Sequence, residues 1–336
     1  MMIAATISRS TPASRIAGLL ALIVLAVLFA APWWGSRADL RLVGEFATYL
    51  ALASLWNLLA GYTGLVSVGQ QAFVGLGGYV LFSWAQYLGI NPLLAIPIAG
   101  VVAGLVAIPV GQLVFRLQGA YFAIGTWVVA EVFRLSFAQV QALGGGSGTS
   151  LVPAIVKSIA ESRDMREAMV YWVSLALGAG SVAMVYTLLR SRIGLALTAI
   201  RDSEVASSSL GVKITEVKFL VYVLVAAVTA MVGALIFLQK LRISPDAAFS
   251  VNDWTAFVIF IVVIGGIGTI EGPILGTLVY FLLRRYLADY GSVYLMILGA
   301  LAIAIMLVAP RGLWGVIAKR TGVSLFPVGY RVDWKQ

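Results

Sequence analysis

The chain has 336 residues, of which 61% are hydrophobic and 11% charged, and its mean hydropathy is +0.99, whereas charged residues make up about a quarter of a soluble protein. Lys plus Arg exceed Asp plus Glu by 23 to 14, and His and Cys are both absent. These counts exclude a stand-alone soluble enzyme, disulfides, Cys/His metal sites and any Ser-His-Asp triad, and leave only oxygen ligands for a metal.

Apolar runs of about 17 to 25 residues match the hydrocarbon thickness, so the expected architecture is an all-α integral membrane protein with about ten transmembrane helices. A tail over 1–15, with Arg9 and Arg15, precedes the first span, Ile16 to Trp34. That span exceeds the apolar core of a signal peptide, about 7 to 15 residues, and no A-x-A site follows, so it is expected to be retained. Further spans begin at Leu93, Met169, Val217, Trp254 and Val293. Those near Leu42 to Leu59, Leu65 to Leu88, Ala120 to Val140 and Pro273 to Tyr286 are interrupted by polar or glycine residues. The transmembrane domain is thus expected over 16–310, with a second tail over 311–336.

Positive charge favours the cytoplasmic side of a membrane protein. A cytoplasmic amino end places 141–167 outside, 190–217 inside and both termini in the cytoplasm. Arg284 and Arg285, outside in this arrangement, count against it. The loop 190–217 is expected to be partly helical, over Leu195 to Ala199 and Glu204 to Leu210, punctuated by Gly194 and Gly211. Its mixed charges suit a protein partner better than a lipid headgroup. No basic run interleaved with aromatics stands apart from the apolar segments, which argues against nucleic acid.

Glycines cluster at 61–78 and again at 265–276. Two readings stand: close helix packing, and broken or re-entrant helices whose backbone lines a cavity, arranged as a pseudo-repeat of two halves. Polar residues within spans are costly and therefore functional candidates. Glu131 and Arg134, three apart, can neutralise each other. Gln70 and Gln71 either line a polar cavity or bond to neighbouring helices. Ser250 to Asp253 has the form of a capping box, after a structured turn at Ser244 and Pro245.

Several motifs together resemble a known family. The run GYTGLVSVGQQAFVGLGGY from Gly61 to Tyr79 and the run GGIGTIEGPILG from Gly265 to Gly276 are similar to the glycine-rich signatures of branched-chain amino-acid ABC transporter permeases. AIRDSEVASSSLG from Ala199 to Gly211, followed by Lys218, resembles the loop through which these permeases contact their ATPase, and Pro310 to Leu313 also fits. QGAYFAIGTWVVAEVFR from Gln118 to Arg134, with GGGSG from Gly144 to Gly148, resembles the LivM type of permease rather than the LivH type. Departures fall at Gln71, where a small residue or histidine is common, at Ser207, usually alanine, and at Trp127, usually leucine; they leave the cargo in question.

The resemblance implies a permease subunit of a binding-protein-dependent importer in the bacterial inner membrane. It would move branched-chain amino acids by alternating access, beside a LivH-type permease and two cytoplasmic ATPases, and receive cargo from an extracytoplasmic binding protein. The chain has no G-x-x-x-x-G-K-[ST] loop and no Gly-Lys pair, so ATP and Mg are expected on the partner ATPases and no cofactor on this chain. Arg201, Asp202, Glu204, Ala206 and Gly211 would couple to the ATPase. A helix from Asp202 to Leu210 would seat there, with Arg201 and Glu204 as charged contacts, Ala206 allowing close approach and Gly211 ending it. Ser67, Gln70, Gln71, Gly265, Gly266 and Gly268 would flank the pathway, without a deep charged site. Gly144, Gly145, Ser147 and Asp246 would meet the binding protein. The alternatives are the same machinery carrying urea or short amides, and an ion-coupled secondary transporter using Glu45 and Glu131 as ion sites.

Overall fold

The computed structural model describes residues 5–8, 11–287, 290–322, 325–329 and 331–334. Five long helices come first: α1 (Pro12–Phe29), α2 (Arg37–Asn57), α3 (Gln70–Tyr87), α4 (Pro92–Val114) and α5 (Ala120–Gln139). A short α6 (Pro153–Lys157) leads to α7 (Arg163–Leu189), and two short helices, α8 (Arg192–Asp202) and α9 (Glu204–Ser209), lead to α10 (Ile214–Lys240). The chain continues through α11 (Pro245–Ala248), α12 (Phe257–Gly265), α13 (Glu271–Leu287), α14 (Ser292–Val308) and α15 (Gly312–Thr321). Strand β1 (Ala5–Ser8) pairs antiparallel with β4 (Arg331–Trp334), and β2 (Thr149–Ser150) with β3 (Arg242–Ile243).

All ten expected spans are helical, and eight segments among the described residues are long and apolar enough to cross a membrane. The other two are α3, which opens on Gln70 and Gln71, and the 17-residue α13, which carries Glu271, Arg284 and Arg285. Helix α3 is buried over nearly its whole length, against α4 and α10, so protein rather than lipid surrounds its polar groups. Its span begins five residues later than the sequence indicates, since 64–69 is a loop.

Helix starts obey local chemistry. Ser36 caps α2 reciprocally with Asp39: its hydroxyl accepts the Asp39 N–H at 3.2 Å, and the Asp39 carboxylate accepts the Ser36 N–H at 3.1 Å. Ser250 Oγ accepts from the Asp253 N–H at 3.2 Å, and the helix entered there widens into a π-turn over Asn252–Ala256 before α12. Ser244 caps α11 by accepting from the Ala247 N–H.

Glycine governs how closely the helices meet. A Cβ on Gly77 of α3 would lie 1.9 Å from the Ala230 carbonyl oxygen of α10, and one on Gly276 of α13 would lie 1.9 Å from that of Ile261 in α12. Backbones this close require the absent side chain. Gly194 has the same role rather than the punctuating one expected: it lies inside α8, where a Cβ would meet the Leu189 carbonyl oxygen at 1.9 Å.

The bundle has two ends. Arg37, opening α2, pairs with Asp164 of α7 at 2.6 Å, and Arg134 of α5 pairs with Asp246 at 2.7 Å, so these and the 141–162 loop share one end. At the other end the last residue of α2, Asn57, meets the turn after α12, beside α8 and α9. Helices α2 and α12 therefore run parallel, and both glycine segments form turns at the 190–217 end. The β1–β4 pair joins the two terminal segments to each other.

Gly77→Val should disrupt the α3–α10 contact. Overpacking a tight site typically costs about 1 to 3 kcal/mol, so thermal aggregation in detergent is expected at a clearly lower temperature than for the unsubstituted protein, whereas the exposed Gly180→Val should leave it unchanged.

Candidate functional site

The 190–217 end gathers most of the residues singled out from sequence. Asn57 is buried at 1% exposure, and its side chain is fully used: Oδ1 accepts the Gly268 N–H at 2.8 Å, and Nδ2 donates to the Thr269 carbonyl at 2.8 Å. Thr269 closes the same turn, donating from its hydroxyl to the Gly266 carbonyl at 2.8 Å and accepting the Gly272 N–H at 3.0 Å. Beyond Asn57 the helix continues as a π-turn, Leu58–Thr63, which Gly64 ends in the left-handed region at φ 73°. A Cβ on Gly61 in that turn would lie 2.5 Å from the Gly268 nitrogen. One amide thus ties the first glycine segment to the second.

The loop after Gly64 is fixed just as firmly. The Trp56 indole donates to the Ser67 carbonyl at 2.8 Å, Ser67 Oγ accepts the Gly69 N–H, and the Val68 N–H donates to Thr126 Oγ1 on α5. Gln70 and Gln71 then bond to neighbouring helices: Gln70 Nε2 donates to the Leu52 carbonyl at 3.0 Å, and Gln71 Oε1 accepts from the Thr255 hydroxyl. Gln70 Oε1 and Thr229 Oγ1 have no protein partner, and both residues face a cavity of ≈10 Å³, about the smallest that holds one water. Of the six pathway residues, Ser67, Gln70 and Gln71 lie within this packed region. Gly265 abuts Gly272, and Gly266 abuts Gly312, so both belong to tight backbone crossings.

The segment expected to meet an ATPase packs directly on the first glycine turn. The helical stretches expected at Leu195 to Ala199 and Glu204 to Leu210 form as α8 and α9, but the second does not begin at Asp202, because Ser203 adopts an extended conformation, φ −163° and ψ 114°, and caps α9 through the Ala206 N–H. Asp202 ends α8. Arg201 lies with its guanidinium 5.8 Å from the Tyr62 ring centroid, a cation–π distance, and Glu204 pairs at 2.5 Å with Lys218, a residue only 9% exposed. Both expected charged contacts therefore also hold the segment to the transmembrane body. Two large apolar side chains stand out among exposed polar neighbours: Val205 is 80% exposed and Leu210 81% exposed, with Ala206, Ser208 and Ser209 exposed between them. The polar composition of this loop draws attention away from that pair. Ser207 stands in an alanine position, is buried, and satisfies its hydroxyl on the Ser203 carbonyl at 2.8 Å. Gly211 has φ 83° with open space where a Cβ would be, so its conformation, not crowding, selects glycine.

At the opposite end the expected docking residues form one patch. Gly144 packs on Gly148, Gly148 on Ser244, and Gly145 on Gln141. Arg242 Nη2 reaches the Ser147 carbonyl at 3.5 Å, beside the β2–β3 pair. Asp246 shares Arg134 with Glu131, at 2.7 and 2.6 Å, so the pair anticipated on α5 is a three-residue cluster. A larger cavity of ≈780 Å³ opens at this end, away from the glycine turns, lined by six basic and three acidic side chains.

Comparison with known proteins places these features. Residues 40–309 match the model of the branched-chain amino acid transport system permease component. The chain belongs to that family. It is 29% identical to the high-affinity branched-chain amino acid transport system permease protein LivM of Salmonella typhimurium strain LT2 and 30% identical to that of Escherichia coli strain K12, each over 88% of this chain and 74% of the relative. A probable LivM permease of Methanocaldococcus jannaschii is 25% identical over 77% of this chain and 80% of that relative. No solved structure matches the chain.

The family match spans both glycine turns and α8–α9 but stops before α15. A contact bridges that limit and has no sequence signal. Glu271, in the second glycine motif of this permease, is 7% exposed and accepts the Leu325 and Phe326 N–H groups on Oε1 at 3.0 and 2.9 Å. Phe326 packs edge-on against Tyr186 at 5.8 Å, and Tyr186 accepts a hydrogen bond from Arg190, at the root of the 190–217 segment. The tail is thereby strapped across the second glycine turn. Hydrogen bonds to a charged group contribute about 1.5 to 3 kcal/mol, so Glu271→Ala should raise hydrogen exchange at Leu325 and Phe326 by about tenfold or more, with Glu271→Gln intermediate; unchanged protection would disprove the strap.

Proposed function

We propose that this permease is the LivM-type half of a binding-protein-dependent importer that moves branched-chain, hydrophobic amino acids inward. Its partners are a LivH-type permease, two ATPases that bind ATP and Mg, and an extracytoplasmic binding protein. In this reading it is a multi-pass protein of the bacterial inner membrane with both termini in the cytoplasm, and the 190–217 end faces inward. This chain catalyses no reaction itself.

The observation that carries the reading is the shape of α8 and α9. They form a short amphipathic unit whose charged side is tied to Tyr62 and Lys218, and whose outward side leaves Val205 and Leu210 without partners among the described residues. Apolar side chains this exposed mark an interaction surface. A force applied there reaches the first glycine turn through Tyr62 and the second through Asn57. Alternating access then consists of rearranging these two turns, with Ser67, Gln70, Gln71, Gly265, Gly266 and Gly268 beside the route. The patch of Gly144, Gly145, Ser147 and Asp246 at the other end would receive the binding protein.

The carboxylates needed for an ion-coupled carrier are already engaged. Glu45 pairs with Arg284 at 2.5 Å and Glu131 with Arg134 at 2.6 Å, which favours energy input through the coupling segment.

Two substitutions test the reading in reconstituted importer. Leu210→Glu should weaken ATPase association, measured as nucleotide-stimulated co-purification, while the transmembrane subunits stay assembled. Gly211→Val forces a β-branched residue into the left-handed region, at about 1 to 2 kcal/mol, and should reduce uptake severely. Normal leucine uptake with normal substrate-stimulated hydrolysis in both variants would sink the assignment.

A further inference from the structure

The ≈780 Å³ cavity lies among the amino ends of α2 and α7, the π-turn before α12, and the carboxyl ends of α10 and α13. Its size falls in the range of small-molecule sites, about 300 to 1,000 Å³. Most of its charge is already neutralised. At the rim, Arg37 pairs with Asp164 at 2.6 Å, and Arg41 and Arg163 each reach Glu167 at 3.2 Å. Arg166 donates to the Ala160 and Glu161 carbonyls, and Glu45 takes Arg284.

Arg166 thus has carbonyl partners but no carboxylate, and Lys240 and Asp253 carry opposite charges outside any ion pair among the described residues. Among the described residues Lys240 Nζ lies against rings, 4.6 Å from the centroid of Trp254 and 5.6 Å from that of Phe237, and it is attracted by the carboxylates of Asp253 and Glu45. Asp253, the neighbour of Trp254, uses its backbone N–H on Ser250, and its carboxylate has no hydrogen-bond or ion-pair partner among the described residues. Around them the wall is apolar, from Leu40, Val170, Ile236 and Leu238 with the Tyr49 and Trp254 rings. A cation and an anion that attract each other without forming an ion pair, beside apolar side chains, complement a molecule that carries both charges on one carbon next to an apolar side chain.

We propose that this cavity is a receiving site for hydrophobic α-amino acids in zwitterionic form, in which Lys240 takes the carboxylate and Asp253 the ammonium. The site rests on the reading of the cargo given above and adds to it a location within one subunit, distinct from the glycine turns. Charge-assisted hydrogen bonds supply recognition of the head group, and the wall accommodates branched side chains without selecting among them. An anionic phosphate headgroup would be repelled by Asp253, and neutral urea could hydrogen-bond to both groups but would leave the apolar side chains uncovered.

The absence of cysteine from the sequence allows a direct test in the reconstituted importer. Val170→Cys places a single thiol of this chain on the cavity wall, and its labelling by a membrane-impermeant methanethiosulfonate is followed during titration with leucine. Labelling should slow as the unoccupied fraction falls, by about tenfold at ten times Kd. Leucinamide and 4-methylpentanoate, which each lack one charge, should protect far less, and Lys240→Met or Asp253→Asn should abolish protection by leucine. A thiol that does not label, labelling indifferent to leucine, or protection that survives both substitutions overturns the site. Leucine uptake by the unsubstituted importer is measured in parallel: its absence overturns the cargo reading, whereas normal uptake without protection overturns only the site.

Discussion

Two hydrogen bonds from one buried amide hold the functional end of this permease together. Asn57 sits where α2 loses its α-helical register, and it offers the second glycine turn both an acceptor and a donor. That turn has left-handed or otherwise open backbone at Gly266 and Gly268, so its own carbonyl and N–H groups cannot be satisfied by a continuing helix. Buried backbone groups left unpaired cost about 1 to 3 kcal/mol each. The amide removes that cost and, in doing so, fixes the distance between two segments more than 200 positions apart. Gly61 is the complement of this bond, because any Cβ there would prevent the approach.

Everything at that end is arranged around the clamp. Arg201 lies over the ring of Tyr62, one residue after Gly61, so α8 and α9 rest on the first turn. Glu271 opens α13 just after the second turn and fastens the carboxyl-terminal tail there. Polar groups inside a bundle carry energetic risk when half satisfied, and at this end Asn57 and Thr269 meet that risk with both hydrogen-bonding groups used. The opposite end is built differently, from exposed ion pairs such as Arg37–Asp164 around an open cavity. Pairs of that kind are weak individually and can rearrange without unfolding a helix.

Much of this was legible in the residues. Hydrophobic run length located every span, Ser250 and Gly211 marked a helix start and end, and the glycine segments indicated where helices cross or break. Three features were not legible, each for a physical reason. The polar helix α3 is tolerated because protein encloses it, which depends on tertiary packing rather than on its own sequence. Arg201 and Glu204 read as surface charges because their partners, Tyr62 and Lys218, lie far away in sequence or beyond a helix break. The larger cavity arises where five helix ends splay apart, so Lys240 and Asp253, which line it, belong to different elements and share no motif. Glutamines 70 and 71 could have lined a cavity or bonded to helices, and the backbone carbonyl of Leu52 and the hydroxyl of Thr255 account for one group on each.

The central claim is that force arriving at the first glycine turn through Tyr62 reaches the second through the Asn57 clamp. The most direct measurement is the number of leucine molecules imported per ATP hydrolysed by the reconstituted importer carrying Asn57→Leu, a side chain of similar size that can make neither bond. If the clamp transmits the coupling, hydrolysis persists while the ratio drops by about tenfold or more, as expected for loss of about 1.4 kcal/mol or more at the coupled step. An unchanged ratio, with both turns still linked to transport, would contradict the account.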